Sequence, residues 1–177
     1  NKIGYVPQKA VMFTGTVFYN VAYGEAAEKD ISLDKVKKAI EVAQGTDFVE
    51  KMENTYEAHI ARGGTNVSGG QKQRLAIARA IAKDPEIYIF DDSFSALDYK
   101  TDAVLRSELK KYTKDATSLI VAQRIGTIMN ADKIIVLDNG ESVGVGTHKE
   151  LLKSCEVYKQ IALSQLSKEE LDNAKAK

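Results

Sequence analysis

The most restrictive feature of this chain is the run Ile87-Tyr88-Ile89-Phe90, which ends in two adjacent carboxylates, Asp91 and Asp92. The run is continuously apolar where a strand with one wet face would alternate. Such a strand is expected to be buried on both faces, as in a parallel sheet. Parallel neighbours need crossover connections of a dozen or more residues, usually helical. The flanking sequence supplies them. Residues 72–83, rich in Ala, Leu, Ile and Arg, read as a helix that Asp84-Pro85 stops. Residues 102–112 place Leu105, Leu109 and Tyr112 on one helical face. Residues 118–122 read as a second buried strand and 133–137 as a third. The alternation implies an α/β architecture, a mostly parallel sheet flanked by helices.

Upstream the signals differ. Residues 3–6 are a short apolar run stopped by Pro7 and followed by Gln8, and 11–21 read as loop-like, ending near Gly24. Ser32 is placed to cap a helix in which Leu33, Val36, Ile40 and Ala43 share a face, with Gly45 after its last turn. Asp47 and Glu50 have capping-box spacing for a shorter helix through Met52. Residues 30–60 are therefore expected to be mostly helical, without a strand, as a helical subdomain inserted before the main sheet. Downstream, Asp138-Asn139-Gly140 is a hairpin signal returning 142–145 antiparallel. Thr147 and Glu150 form a capping box opening a helix to about Leu163. The charged segment 167–177 reads as a frayed or disordered tail.

Composition excludes several classes. Lys plus Arg number 25 and Asp plus Glu number 25, so no global charge draws the chain to nucleic acid or an anionic membrane. Cys155 is the only cysteine, which excludes an internal disulfide and a Cys-based zinc site. No stretch approaches the roughly 20 apolar residues of a transmembrane helix. His59 is expected at the surface and His148 in a first helical turn. Lys72, Arg74 and Arg79 suit a solvated or structural helix face better than a nucleic-acid patch.

Two groups of residues carry chemistry. Ser68-Gly69-Gly70-Gln71 has capping-box spacing at the head of the helix over 72–83. Free amides and the positive dipole end make such a place an anion site, two glycines let a phosphate approach the backbone, and Ser68 adds a hydroxyl. A plain capped helix has the same sequence. Asp91 and Asp92 follow a strand, and ligands of open α/β sheets bind beyond the carboxyl ends of strands. One carboxylate there suits Mg²⁺ and a second can orient an attacking water; an acidic turn is the alternative.

Taken together, Val67-Ser68-Gly69-Gly70-Gln71-Lys72-Gln73-Arg74, the strand into Asp91-Asp92, and Ser95-Ala96-Leu97-Asp98 resemble the signature motif, Walker B strand and D-loop of ABC transporter nucleotide-binding domains. Gly4-Tyr5-Val6-Pro7-Gln8 resembles the strand into the Q-loop, residues 117–124 the strand into the switch, and Gly146 to Leu151 a stretch just beyond. The likeness covers essentially 1–163. It implies a partial P-loop NTPase domain of ABC type: strand end and Q-loop start at 1–8, helical subdomain with signature at 9–84, the C-terminal part of the core at 85–166, and the tail at 167–177.

The resemblance further implies ATP and Mg²⁺ as ligands, with Asp91 and Gln8 toward the metal, and Asp92 and Gln123 as the catalytic pair. Ser68, Gly69, Gly70 and Gln71 would complete the site of a second nucleotide-binding domain, with Asp98 as a cross-dimer contact or a helix cap. Asp92 stands where the family usually has Glu, and Gln123 where it has His. Both departures weaken hydrolysis while sparing binding, as in the degenerate half of a heterodimeric multidrug exporter. Arg62 replaces a Glu frequent in exporters. The Walker A motif is absent, because none of the 12 glycines precedes Lys. Truncation of a longer protein is expected, with a transmembrane domain fused N-terminally and the domain on the cytoplasmic face of the membrane. Alone, the chain is expected to bind ATP weakly, not to hydrolyse it, and to expose apolar surface. A soluble ABC-type ATPase acting on DNA or ribosomes is the rival reading; such proteins usually carry large insertions or coiled coils, absent here. A regulatory module without catalysis is a third, against which the intact Ser68–Gln71 turn argues.

Overall fold

The computed structural model describes residues 2–24 and 31–166, so the expected tail at 167–177 lies outside the described residues. Two compact units form, Asn1–Val121 and Ala122–Lys177. The first holds β1 (Ile3–Val6), β2 (Gly15–Thr16), α1 (Val17–Ala22), α2 (Leu33–Val42), α3 (Thr46–Val49), β3 (His59–Ile60), α4 (Gly69–Ala82), β4 (Ile87–Asp91), α5 (Tyr99–Tyr112) and β5 (Thr117–Val121). The second holds α6 (Ile125–Ile128), β6 (Ile134–Asp138), β7 (Glu141–Gly146), α7 (His148–Ser154) and α8 (Glu156–Gln165). The α/β class is as expected, with a parallel sheet flanked by helices.

The apolar run becomes β4, the middle of a sheet ordered β1-β4-β5, parallel throughout. Register pairs Val6 with Phe90 and Asp91 with Val121. α4 presses on β1. A Cβ at Gly4 would stand 2.8 Å from Pro85 Cγ and 3.3 Å from the Ala80 carbonyl, so the close approach needs glycine. Val6, Leu75, Ile77, Ile81, Tyr88 and Phe90 form the centre of the core.

The sheet departs from the expectation of two buried faces. Tyr88 and Phe90 are buried, but Ile87 on the opposite face is exposed, and β5 leaves Leu119 and Val121 about half exposed, at 52% and 50%. The helices cover only the face of Val6, Tyr88 and Phe90. The other face presents Ile3, Tyr5, Leu119 and Val121 to solvent, the exposed apolar surface anticipated from the sequence.

Three further corrections come from contacts with distant segments. The stretch 11–21 is ordered: β2 and α1 lie there, with Thr16 capping α1 through the Tyr19 amide. Arg79 clasps this segment from α4, donating to the carbonyls of Asn20 (2.7 Å) and Val11 (3.0 Å) and lying over the Phe13 ring, which stacks on Tyr23. Burial lowers the Arg79 pKa to about 10, so it stays charged at neutral pH. Residues 30–60 are helical as expected at α2, capped by Ser32, but they also contain β3, which pairs antiparallel with β2. Asp47 does not cap α3, which starts after Gly45; its carboxylate accepts from Arg74 Nη1 at 2.9 Å instead.

In the second unit the hairpin forms as the turn residues dictate. Asn139 (φ 49°) and Gly140 (φ 83°) both take left-handed backbone, as a tight hairpin turn requires. Thr147 and Glu150 make the expected capping box. The helix they open stops at Ser154, because Cys155 is extended (φ −121°, ψ 105°) and buried with its thiol toward the Val143 carbonyl; α8 then restarts. His148 is buried rather than merely helical, its Nδ1 2.6 Å from the Tyr158 hydroxyl and its Nε2 without a partner. Among the described residues no helix is long and apolar enough to cross a membrane.

Burial lowers the His148 pKa and pushes that of Tyr158 up to about 12. A histidine whose folded pKa lies below its unfolded value of about 6.5 leaves stability intact above that pH. Below it the unfolded chain takes up the proton first, and stability falls until the folded pKa is passed. Urea midpoints are therefore expected to drop between about pH 7.5 and 5.5, and His148→Gln to flatten that slope.

Candidate functional site

Pro7 ends β1 by removing an amide from the ladder. The next residue, Gln8, reaches across to the end of β4, where its Nε2 donates to Asp92 Oδ2 at 3.2 Å. Asp91 is the last residue of β4, and its Oδ2 accepts from the Tyr5 hydroxyl at 3.0 Å. That hydrogen bond holds the Tyr5 phenol above its ordinary pKa, so it remains a donor. Asp92 takes left-handed backbone (φ 43°) and donates its amide to the Val121 carbonyl at 2.9 Å. Its own carbonyl accepts from Ser95 Oγ at 2.9 Å. Gln8, Asp91 and Asp92 thus converge at the carboxyl edge of the sheet, where ligands of open α/β sheets bind.

The residues offer hard oxygen donors: the Asp91 carboxylate and the Gln8 carboxamide oxygen. That chemistry suits Mg²⁺, which is held by one or two carboxylates together with substrate phosphates and waters. Among the described residues there is no group of three or more His, Cys, Asp or Glu side chains that could hold a metal ion.

The turn at 68–71 lies at the surface, with Ser68 and Gly69 exposed. Ser68 Oγ accepts from the Gln71 amide at 3.3 Å, and Gln71 Oε1 accepts from the Ser68 amide at 2.8 Å. This capping box leaves the amides of Gly69 and Gly70 at the head of a 14-residue helix, without intrahelical acceptors. A Cβ on Gly69 would meet nothing within 4 Å, so the approach is open. The Ala96 carbonyl lies 3.5 Å from where a Gly70 Cβ would be, which sets Ala96 and Leu97 beside the turn. Asp98 caps α5, accepting from the Thr101 amide at 2.9 Å, and that bond lowers its pKa.

The model of the ABC transporter family matches residues 1–95. The chain belongs to this family. An uncharacterised ABC transporter ATP-binding protein of Mycobacterium tuberculosis is 45% identical over 163 residues, covering 92% of this chain and 28% of that protein. The ATP-dependent lipid A-core flippase of Ralstonia nicotianae is 41% identical, covering 89% of this chain and 26% of the flippase. A bacterial Atm1-family ABC exporter with ATP bound is similar at a TM-score of 0.87 and 35% identity, over 94% of this chain and 29% of that one. The chain thus spans well under a third of these relatives.

Gln123, expected as the catalytic partner of Asp92, belongs to the second unit. There its carbonyl accepts from Gln165 Nε2 at 2.9 Å, while Gln165 Oε1 takes the Ile125 amide at 2.8 Å, so α8 pins the segment. Sequence reasoning passed over Gln165, and also over Tyr5, Gln73 and Ser93. Gln73 is buried on α4 and donates to the Pro7 carbonyl at 3.1 Å. Ser93 is buried and donates to the Val6 carbonyl at 2.9 Å. The one signal for Gln73 was a polar residue on the apolar side of a helix; the others depend on pairings between distant segments.

Replacing Gln73 by Met removes the donor from the Pro7 carbonyl while keeping side-chain volume. Stability measured by urea unfolding should fall by about 1–3 kcal/mol.

Proposed function

We propose that the chain is the ATP-binding part of an ABC exporter subunit, lying on the cytoplasmic face of the membrane and joined to a transmembrane domain. The observation that carries this reading is that one chain presents two chemically different half-sites. An exposed glycine turn heads α4, while Gln8, Asp91 and Asp92 gather at the sheet's carboxyl edge. Two such domains set head to tail would place each chain's turn against the other's carboxylates. The family match and the likeness to a bacterial exporter with ATP bound support it. Nothing in the balanced charge favours a nucleic-acid partner.

In this reading Asp91 and the Gln8 carboxamide oxygen hold Mg²⁺, which would offset charge developing on the transferred phosphate. Asp92 orients the attacking water and Gln123 hydrogen-bonds the terminal phosphate. Asp92 is one methylene shorter than Glu, and a catalytic group misplaced by about 1 Å costs on the order of 10²-fold in rate. Gln123 donates and accepts hydrogen bonds but carries no charge and relays no proton as His can. The site is therefore slow. Ser68, Gly69, Gly70 and Gln71 serve the other nucleotide, held by a partner domain of different sequence, so the chain supports hydrolysis in trans. Ser95 and Ala96, both exposed, lie between the two half-sites, with Leu97 buried beneath them.

Two measurements on the assembled transporter test this. Asp92→Glu combined with Gln123→His should raise turnover at this chain's site on the order of 10-fold or more; unchanged turnover refutes the slow-site assignment. Ser68→Arg should bring turnover at the partner's site to background, since a guanidinium fills the space before the Gly69 and Gly70 amides. Full activity in that variant excludes the trans role.

A further inference from the structure

We propose that Tyr5 is a positioning residue for the metal-facing carboxylate of Asp91, setting its rotamer from the neighbouring strand. The inference rests on the reading of Asp91 as a Mg²⁺ ligand. It begins from register. Tyr5 pairs with Ile89, not with Asp91, so its side chain must cross one strand spacing and run two residues forward along β4. Those steps are about 4.8 Å and about 6.6 Å. A short side chain at position 5 cannot span that diagonal. Tyrosine spans it with a stiff ring and ends in a donor, 3.0 Å from Asp91 Oδ2.

The contact engages one carboxylate oxygen and leaves Oδ1 for a cation. Carboxylates that ligate metals are commonly oriented by such a hydrogen bond from a second residue, and losing it costs metal affinity. Tyr5 is 54% exposed, on the face of the sheet that none of the described helices covers.

A division of labour follows along four residues of chain, Tyr5 to Gln8. Tyr5 sits within β1 and holds Asp91 from a paired strand, whereas Gln8 lies beyond Pro7, outside the ladder, and holds Asp92. A movement of the loop after Pro7 would release Asp92 while leaving Asp91 in place.

The test is Mn²⁺ binding by electron paramagnetic resonance in the assembled transporter with ATP, comparing wild type, Tyr5→Phe and Asp91→Asn. Asp91→Asn identifies the ion that belongs to this chain. Tyr5→Phe, which keeps the ring and loses only the hydroxyl, should weaken that ion by about 10-fold or more. Its melting temperature and its metal-free ATP affinity should match wild type, which separates positioning from a structural effect. If Asp91→Asn weakens Mn²⁺ binding but Tyr5→Phe leaves it unchanged or tightens it, the positioning role is overturned and the metal site stands. If Asp91→Asn has no effect, the metal assignment itself fails, and the role of Tyr5 with it.

Discussion

The parallel pairing of β1 with β4 is the interaction on which the rest of the first unit depends. It brings Gln8 to Asp92 across 84 residues of chain, and Tyr5 to Asp91 across 86. No local preference could join these groups. What joins them is the burial of Val6, Tyr88 and Phe90 in one core with Leu75, Ile77 and Ile81 of α4, which fixes the register, because a one-residue slip would turn every core side chain to the open face. The carboxylates then fall where β4 ends and the ladder can no longer satisfy the backbone, so side chains and turns take over. Asp92 in left-handed backbone, bonded by its amide to Val121, is the first residue past that boundary.

α4 is the second organising element, and its two ends do different work. Its body is core: Leu75, Ile77, Ala78 and Ile81 are buried. Its polar residues are tethers. Gln73 reaches the Pro7 carbonyl, Arg74 the Asp47 carboxylate, and Arg79 the segment from Val11 to Tyr23. Three separate stretches of chain are thereby hung on one helix. The glycine turn at its head rests on the same support: Ser68 and Gln71 complete their capping box locally, while the helix that carries them is locked from three sides. A rigid row of amide donors needs both, since donors already held in place need no reorganisation when a ligand arrives.

Elements closed by neighbours in sequence were legible before the structure. The Ser32, Ser68 and Thr147 caps, the Asp84-Pro85 stop and the Asn139-Gly140 hairpin each involve groups within four residues of one another, so residue type alone specifies them. The elements missed are those closed by distant groups. β2 and β3 are two residues each and carry no periodic signal; they exist because Gly15 meets Ile60. The stretch 11–21 is ordered because Arg79 arrives from α4. The helix after Thr147 breaks because Cys155 is drawn toward the Val143 carbonyl, and nothing in its residue type forbids a helix. The same division runs through the candidate site: Gln8, Asp91, Asp92 and the 68–71 turn were visible as motifs, whereas Tyr5, Gln73, Ser93 and Gln165 were not, each being defined by what it touches.

By itself the sequence determined the order of the longer strands and helices, most of the caps and turns that bound them, and the oxygen-rich and amide-rich residue types that make phosphate and metal chemistry possible, because these follow from covalent neighbours and short-range hydrogen bonding. Only the tertiary structure decided that the central sheet is covered on one face and that Tyr5 and Gln8 each hold a different carboxylate. Those outcomes depend on which surfaces are buried against one another, and burial is a property of the packed chain and not of any segment of it.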